Sequence, residues 1–243
     1  METPSPNSET ATLPDPELQR IRAAYARRRK ETPPGRYALF DPFNLLSLHE
    51  REYAIASVLR ELGIGSLNGR KVLDVGCGRG RMLRWLLEFG ADPSLIYGLD
   101  LVDIHLAEAR HRSPHLSIVR GNAAELPFGS SSFDLVHQAT VFSSVLDPLM
   151  KRTIASEMLR VLKSDGFILW YDFFADNPRN PDVRGVSRKE IHDLFPTCRI
   201  QLRRLTVAPP IGRVVARYSP LLYEVLSRTK ILCTHYLCVI AKG

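Results

Sequence analysis

The sequence predicts an α/β fold built on a doubly wound, largely parallel sheet with helices on both faces. Three observations carry this. From residue 71 to 173, short apolar runs alternate with stretches of helical period, and strict strand–helix alternation means βαβ crossovers. The length of 243 residues with 44% apolar side chains supports one large or two small domains with a buried core. After Ala175 the rhythm changes to helix, strand, helix, strand.

Residues 1–16 are rich in Pro, Ser and Thr and poor in large apolar groups, which cannot repay ordering entropy, so they read as a disordered tail. The remainder, 17–243, reads as one domain with a helical cap at 17–66, a core at 67–174 and a C-terminal part at 175–243. A helical pattern with Leu18, Ile21 and Tyr25 begins at Asp15, runs into the charge block Arg27–Lys30 and is broken by Pro33-Pro34-Gly35. A second helix is expected at Ser47–Leu62, closed by Gly63 or Gly65. Strands are expected at Lys71–Val75, Ile96–Asp100, Leu116–Arg120, Phe133–His137 and Phe167–Phe173, with helices at Arg81–Phe89, Ile104–Arg112 and Pro148–Leu162. Beyond Ala175 follow helix 187–195, strand 198–207, helix 212–229 and strand 231–241.

Composition excludes several classes. Four cysteines without a Cys-x-x-Cys pair or a Cys/His cluster at zinc spacing give neither a disulfide framework nor a metal site, and no metal is expected. The first residues lack a basic segment followed by an apolar one, so a signal peptide is not expected and the reducing cytoplasm is the simplest setting. The longest apolar stretch, Phe167–Ala175, is far shorter than the ~20 residues of a membrane helix. The formal charge of +7 lies entirely in residues 175–243, where twelve basic side chains face five acidic ones; residues 1–174 balance at 21 against 21. A uniformly cationic nucleic-acid coat is therefore not expected.

The segment Lys71-Val72-Leu73-Asp74-Val75-Gly76-Cys77-Gly78-Arg79-Gly80 is a buried strand running into glycines and then a helix, where free N–H groups and close backbone approach favour a ligand. A dinucleotide loop has the spacing G-x-G-x-x-G and embraces a pyrophosphate. Here the third glycine comes one residue early, and Asp74 would repel a diphosphate but attract an ammonium. Asp100 ends the next strand, where a carboxylate can accept both hydroxyls of a ribose. A ribose, an amino-acid ammonium and no phosphate at the loop describe S-adenosylmethionine. Cys77 invites a redox role, against which stands the need for a small residue in the loop. Arg79 adds a cation whose purpose the sequence leaves open.

VLDVGCGRG, YGLDL and GNAAELPFGSSSFDLVHQ resemble the successive cofactor motifs of class I S-adenosylmethionine-dependent methyltransferases, over residues 71–163. The resemblance implies a Rossmann-like, doubly wound seven-stranded sheet, five strands parallel and the last antiparallel between the fifth and sixth. It implies S-adenosyl-L-methionine as cofactor and S-adenosyl-L-homocysteine as product. By the same resemblance Asp74, Gly76, Gly78 and Gly80 would serve the methionyl side and Asp100 the ribose. Leu101 would pack near the adenine, Asn122 and Ala123 would lie at its edge, and Gln138 near the methionyl group. Asn122 stands where many relatives have Asp, which removes charge assistance from that contact.

Ligands of open α/β sheets sit beyond the carboxyl ends of the strands. Three segments are expected there: Thr140–Asp147, Asp172–Arg184, and Tyr37–His49 as an N-terminal lid. Over 37–243 the chain resembles a bacterial branch of these enzymes with a WYDF…NPRNPDVRG segment, associated with polysaccharide or glycolipid pathways. Methyl transfer is an in-line displacement, and a hydroxyl acceptor also needs a base. Asp172, Asp147 and His49 are the candidates; as alternatives, Asp147 caps a helix, Asp172 pairs with Arg184 or caps the loop, and His49 is a surface residue. Tyr37 and Phe142 are expected as pocket walls, with Asn177, Asn180 and Arg184 on the substrate side. His137, Cys233 and Cys238 read as core.

Residues 211–228 form an amphipathic, cationic, Pro-interrupted helix inside an insertion at 209–230. It either covers the sheet with a solvated basic face or lies peripherally on an anionic membrane. The expected function is methyl transfer to a small-molecule, glycan or glycolipid acceptor, at oxygen. A nicotinamide-dependent oxidoreductase and a non-catalytic cofactor-binding scaffold are the alternatives.

Overall fold

The computed structural model describes residues 15–178 and 180–243. The expected tail lies outside the described residues as far as position 14. Asp15 and Pro16 belong to the first helix, α1 (Pro16–Glu31), which the Asp15 carboxylate caps by accepting the Glu17 amide at 2.8 Å.

α2 spans Pro42–Glu61 and starts five residues before the expected Ser47, because Asp41 caps it and Pro42 needs no N–H partner in the first turn. The alternating core follows: β1 (Val72–Val75), α3 (Arg81–Leu87), β2 (Ile96–Asp100), α4 (Asp103–Arg112), β3 (Ser117–Arg120), β4 (Phe133–Ala139), α5 (Pro148–Val161) and β5 (Leu162–Phe173). β5 begins five residues earlier than expected, since Leu162 already pairs with Phe133 before a register shift. The chain then forms α6 (Arg188–Leu194), β6 (Cys198–Val207), α7 (Pro209–Tyr218), α8 (Pro220–Thr229) and β7 (Cys233–Lys242). The single helix expected at 212–229 is two helices. Pro220 ends the hydrogen-bonded run, and Ser219, extended at φ −153°, closes α7 and caps α8 by accepting the Leu222 amide.

The seven strands run in the order β3-β2-β1-β4-β5-β7-β6, with β1 to β5 parallel and β7 antiparallel to both β5 and β6. This is the sheet that the resemblance implied. One face, which carries Trp170 of β5, is covered by α1, α5 and α6 through Ile21, Ile154, Met158 and Ile191. The other is covered by α2, α3 and α4 through Ile55, Leu59, Leu83 and Leu106. A third, small cluster joins the start of α2 to α7 and α8 around Phe43, Ala216 and Tyr223. Register places α7 and α8 at the carboxyl ends of the parallel strands, because Val207, which precedes them, pairs with Cys233, and Phe173 pairs with His235.

Candidate active site

A cleft of about 210 Å³ opens beyond β1, β2 and β4. Its floor is the turn after β1, held to β2 by the Gly76 and Cys77 amides, which both donate to the Leu99 carbonyl at 2.7 and 2.9 Å. Gly76 has φ +70°, and a Cβ there would stand 2.4 Å from Val141 Cγ2, so no other residue fits without moving the loop after β4. Gly78 is open on the cleft side. Its amide donates to Asp100 Oδ2 at 2.8 Å, and the Val102 amide donates to Asp100 Oδ1 at 2.8 Å. A carboxylate has about four acceptor sites, so two remain for ribose hydroxyls.

Leu101, Val102 and Ala123 make an apolar wall of the cleft, and Asn122 stands at its edge with Oδ1 accepting the Ala124 amide at 2.9 Å. Among the described residues no Lys or Arg lines the cleft. A pyrophosphate would find no counter-charge there. A ribose, an adenine and a zwitterionic methionyl group fit an acidic, apolar and glycine-floored site, which favours S-adenosylmethionine over a nicotinamide dinucleotide.

Several expected contacts are placed differently. Asp74 is buried, and its Oδ1 lies 2.6 Å from Nδ1 of His137, its cross-strand neighbour on β4. Its charge is thus committed to the histidine, beneath the glycine turn, and it is no cleft-lining residue. The paired His137 confirms a core role at one ring nitrogen, while Nε2 has no partner among the described residues. Gln138 is also buried; it accepts the Val141 amide at 3.1 Å and so fixes the loop that packs on Gly76. Gly80, the left-handed cap of α3, lies where a Cβ would come 3.3 Å from Ala109, so it permits α3 to pass α4. Arg79 finds its partner in Glu108, at 2.9 Å on α4. Burial, then Asp74 and Asp100, push the Cys77 thiol up, which supports packing over redox chemistry.

The N-terminal segment that covers the cleft is α1 and not Tyr37–His49. Leu18, Ile21 and Tyr25 present one helical stripe to the cleft, and Tyr25 meets His105 edge-on with ring centroids 5.3 Å apart. Glu17 accepts the amides of Leu146 at 2.5 Å and Asp147 at 3.3 Å, while Arg20 donates to the Ser144 carbonyl at 2.6 Å. Arg27 pairs with Asp182 at 2.6 Å. Burial opposes ionisation of Glu17, but the bonds to Arg20 and to the two amides outweigh it and hold the carboxyl below its ordinary value. Tyr37 is 68% exposed and His49 is exposed; neither lines the cleft.

Of the other candidates, Asp147 caps α5 by accepting the Leu149 amide at 2.8 Å. Asp172 is buried and accepts the Ser143 amide at 3.1 Å and the Phe173 amide at 3.0 Å. It therefore holds the turn Phe142–Ser144 and is not bound to Arg184. Burial, only partly offset by these bonds, raises its carboxyl to about 7. Phe142 is core, not pocket wall: it is fully buried with its ring centroid 4.1 Å from that of Trp170. Asn177, Asn180 and Arg184 do come together, lining a shallow depression of about 340 Å³ that also touches Leu146. Leu146 directly follows Ser144 and Val145 of the cleft, so one short segment lines the cleft with its first residues and the depression with its last.

Sequence reasoning missed Tyr25 and His105 as cleft residues. Tyr25 had a signal in its shared stripe with Leu18 and Ile21. Thr140, the first residue of the expected segment Thr140–Asp147, lines the cleft at φ 57°, a left-handed conformation that a β-branched residue adopts only when its surroundings enforce it.

The methyltransferase domain family Methyltransf_11 matches residues 73–170, the segment that builds this cleft. A phthiotriol/phenolphthiotriol dimycocerosates methyltransferase of Mycobacterium ulcerans is 39% identical over 136 residues, 52% of this chain and 49% of the relative. An uncharacterized methyltransferase of Synechocystis is 34% identical over 139 residues, 57% of this chain and 63% of its own length. The chain spans about half the length of the mycobacterial relatives it matches. Among solved structures, a chain of the complex between the Haloferax volcanii Trm112 methyltransferase activator and a methyltransferase superposes with TM-score 0.64 at 19% identity, covering 92% of this chain and 97% of that one. The [4+2]-cyclase SpnF superposes with TM-score 0.58 at 16% identity, covering 79% and 81%. These likenesses establish the Rossmann-like fold, whose chemistry is decided by the site it carries. The family match lies on the glycine turn, Asp100 and β4, so residues 73–170 are a methyltransferase domain similar to those of S-adenosylmethionine-dependent methyltransferases.

Proposed function

We propose that the protein transfers a methyl group to a hydroxyl of a small-molecule, glycan or glycolipid acceptor. The observation that carries this is the segment Ser144–Leu146, whose Ser144 and Val145 line the cofactor cleft and whose Leu146 lines the hollow of Asn177, Asn180 and Arg184. Amides and a guanidinium are the donors and acceptors that a polyhydroxylated compound requires. The mycobacterial relatives, whose names specify a lipid acceptor, support an acceptor with an apolar part.

When bound, S-adenosylmethionine supplies an electrophilic methyl on a sulfonium. The chain's residues supply alignment and exclusion of water, which dominate an in-line displacement. Asp100 and the Gly76–Gly78 turn hold the cofactor's ribose and methionyl side. Leu18, Ile21 and Tyr25 close over it. Asp172 acts as a positioning residue, fixing through Ser143 the turn that runs into the segment Ser144–Leu146.

Incubation with methyl-tritiated S-adenosylmethionine and fractionated glycans and glycolipids tests this. Label should enter an acceptor as an alkali-stable methyl ether. Label confined to amines or to alkali-labile esters, or none from an enzyme that binds the cofactor, would contradict it. Nucleic acid is not among the acceptors proposed.

A further inference from the structure

We infer that α7, α8 and the Leu39-Phe40 turn form a surface that docks on an anionic lipid bilayer. It deepens the function proposed above by stating how a lipid-linked acceptor reaches the site, and depends on that function only for its purpose.

The orientation of the two helices is fixed by close packing. Gly212 and Ala216, one turn apart, face inward, and a Cβ on Gly212 would stand 2.4 Å from Phe43. Tyr223 of α8 packs edge-on to the same ring, with centroids 6.0 Å apart. Arg213 donates to Asp41 at 3.1 Å and Asn44 at 3.1 Å, tying α7 to the start of α2. What this leaves facing outward includes an apolar stripe. Val214 and Tyr218 on α7, and Leu221 and Val225 on α8, stand at helical spacing with Tyr218 81% and Leu221 71% exposed. Phe40, next to the Asp41 that anchors Arg213, is fully exposed.

Lone exposed apolar residues need no explanation, but a stripe shared by two packed helices does. Its charge points to one occupant. The chain's whole positive excess lies in 175–243. Arg217 has no acidic partner among the described residues, and Arg228 meets Glu224 only at 3.9 Å. Apolar side chains flanked by arginines on short helices lie in the headgroup region of an anionic bilayer. No described helix is long and apolar enough to cross a membrane, so such a contact would be peripheral. The location agrees, because α7 and α8 stand at the carboxyl ends of the strands, where the cofactor cleft opens.

Flotation of the full chain with phosphatidylcholine vesicles, with and without phosphatidylglycerol, tests the surface. Binding is expected only with phosphatidylglycerol and should weaken as salt rises. L221D/V225D, and separately R217E/R228E, should each weaken it roughly tenfold or more. Both variants should keep wild-type affinity for S-adenosylhomocysteine, which shows that they fold. Absence of binding to anionic vesicles overturns the inference. So does a dimer in light scattering that L221D/V225D converts to monomer, since a second copy would then cover the stripe. Vesicle binding without methyl transfer to any lipid leaves the surface standing and refutes the lipid acceptor alone.

Discussion

The carboxylate of Asp100 accepts the amide of Gly78 at 2.8 Å, tying the end of β2 to the glycine turn after β1. One side chain thus both shapes the turn and faces the cleft, where it keeps acceptor capacity for the ribose hydroxyls of the proposed cofactor contact. Losing it removes a ligand contact and leaves the Gly78 amide without its acceptor.

Gly76→Ala should damage the cofactor site from beneath. Alanine at φ +70° costs about 1–2 kcal/mol from the left-handed conformation alone. The clash with Val141 would also push the loop after β4 outward. We expect a loss of cofactor affinity of at least tenfold by calorimetry, with a lowered Tm. Gly78→Ala, whose Cβ meets nothing in the free protein, should lower Tm less.

Phe142→Ala separates a core role from a pocket role. Removing a fully buried ring packed at a tilt against Trp170 should cost about 3–5 kcal/mol of stability in denaturant unfolding. A pocket wall would instead raise the acceptor KM with stability nearly unchanged.

The lid should respond to Glu17. Glu17→Gln keeps the shape but weakens the charge-assisted bonds to Leu146, Asp147 and Arg20. Cofactor dissociation in stopped flow should quicken several-fold. Because the folded carboxyl lies below its ordinary value, the clasp is fully present above that ordinary value and is lost only as pH falls through the lowered one. Wild-type dissociation should therefore be flat near neutrality and quicken in acid, whereas E17Q should show no such acid limb.

Asp172 has the opposite sign. Its carboxyl is raised to about 7 by burial, so the native state holds its proton more tightly than the unfolded chain does. The stability it contributes is complete below the ordinary carboxylate value and is lost as pH rises through about 7. Asp172→Asn should flatten the dependence of unfolding free energy on pH between those limits. An unchanged slope would assign that dependence elsewhere. His235, lowered to about 4 by burial, acts in the other direction, destabilising the fold as pH falls below the ordinary histidine value.

The strands and their carboxyl-end turns were legible because apolar runs, glycines and acidic strand ends are local patterns. Asp100 at a strand end followed from them, while Asn122 came from the resemblance, and the grouping of Asn177, Asn180 and Arg184 in one short segment was visible in their spacing. What escaped depended on three-dimensional packing. Asp74 and Gln138 face neighbouring elements instead of the cleft because of which side of a two-sided strand each occupies and what meets it there. The sequence could not show that Glu17 finds the amides of Leu146 and Asp147 some 130 positions away, so the lid was placed one segment too late. The two helices at 209–229 read as one amphipathic stretch. Only their packing on Phe43 shows which apolar residues are spent inward and which remain outside.

The central claim is that this cleft takes an S-adenosyl cofactor through Asp100, and calorimetric titration of S-adenosylhomocysteine tests it most directly. Wild-type protein should bind saturably in the micromolar range, Asp100→Ala should abolish nearly all of that heat, and NADH should give no saturable binding to either. Equal affinity in Asp100→Ala, or saturable NADH binding to the wild type, would contradict the account.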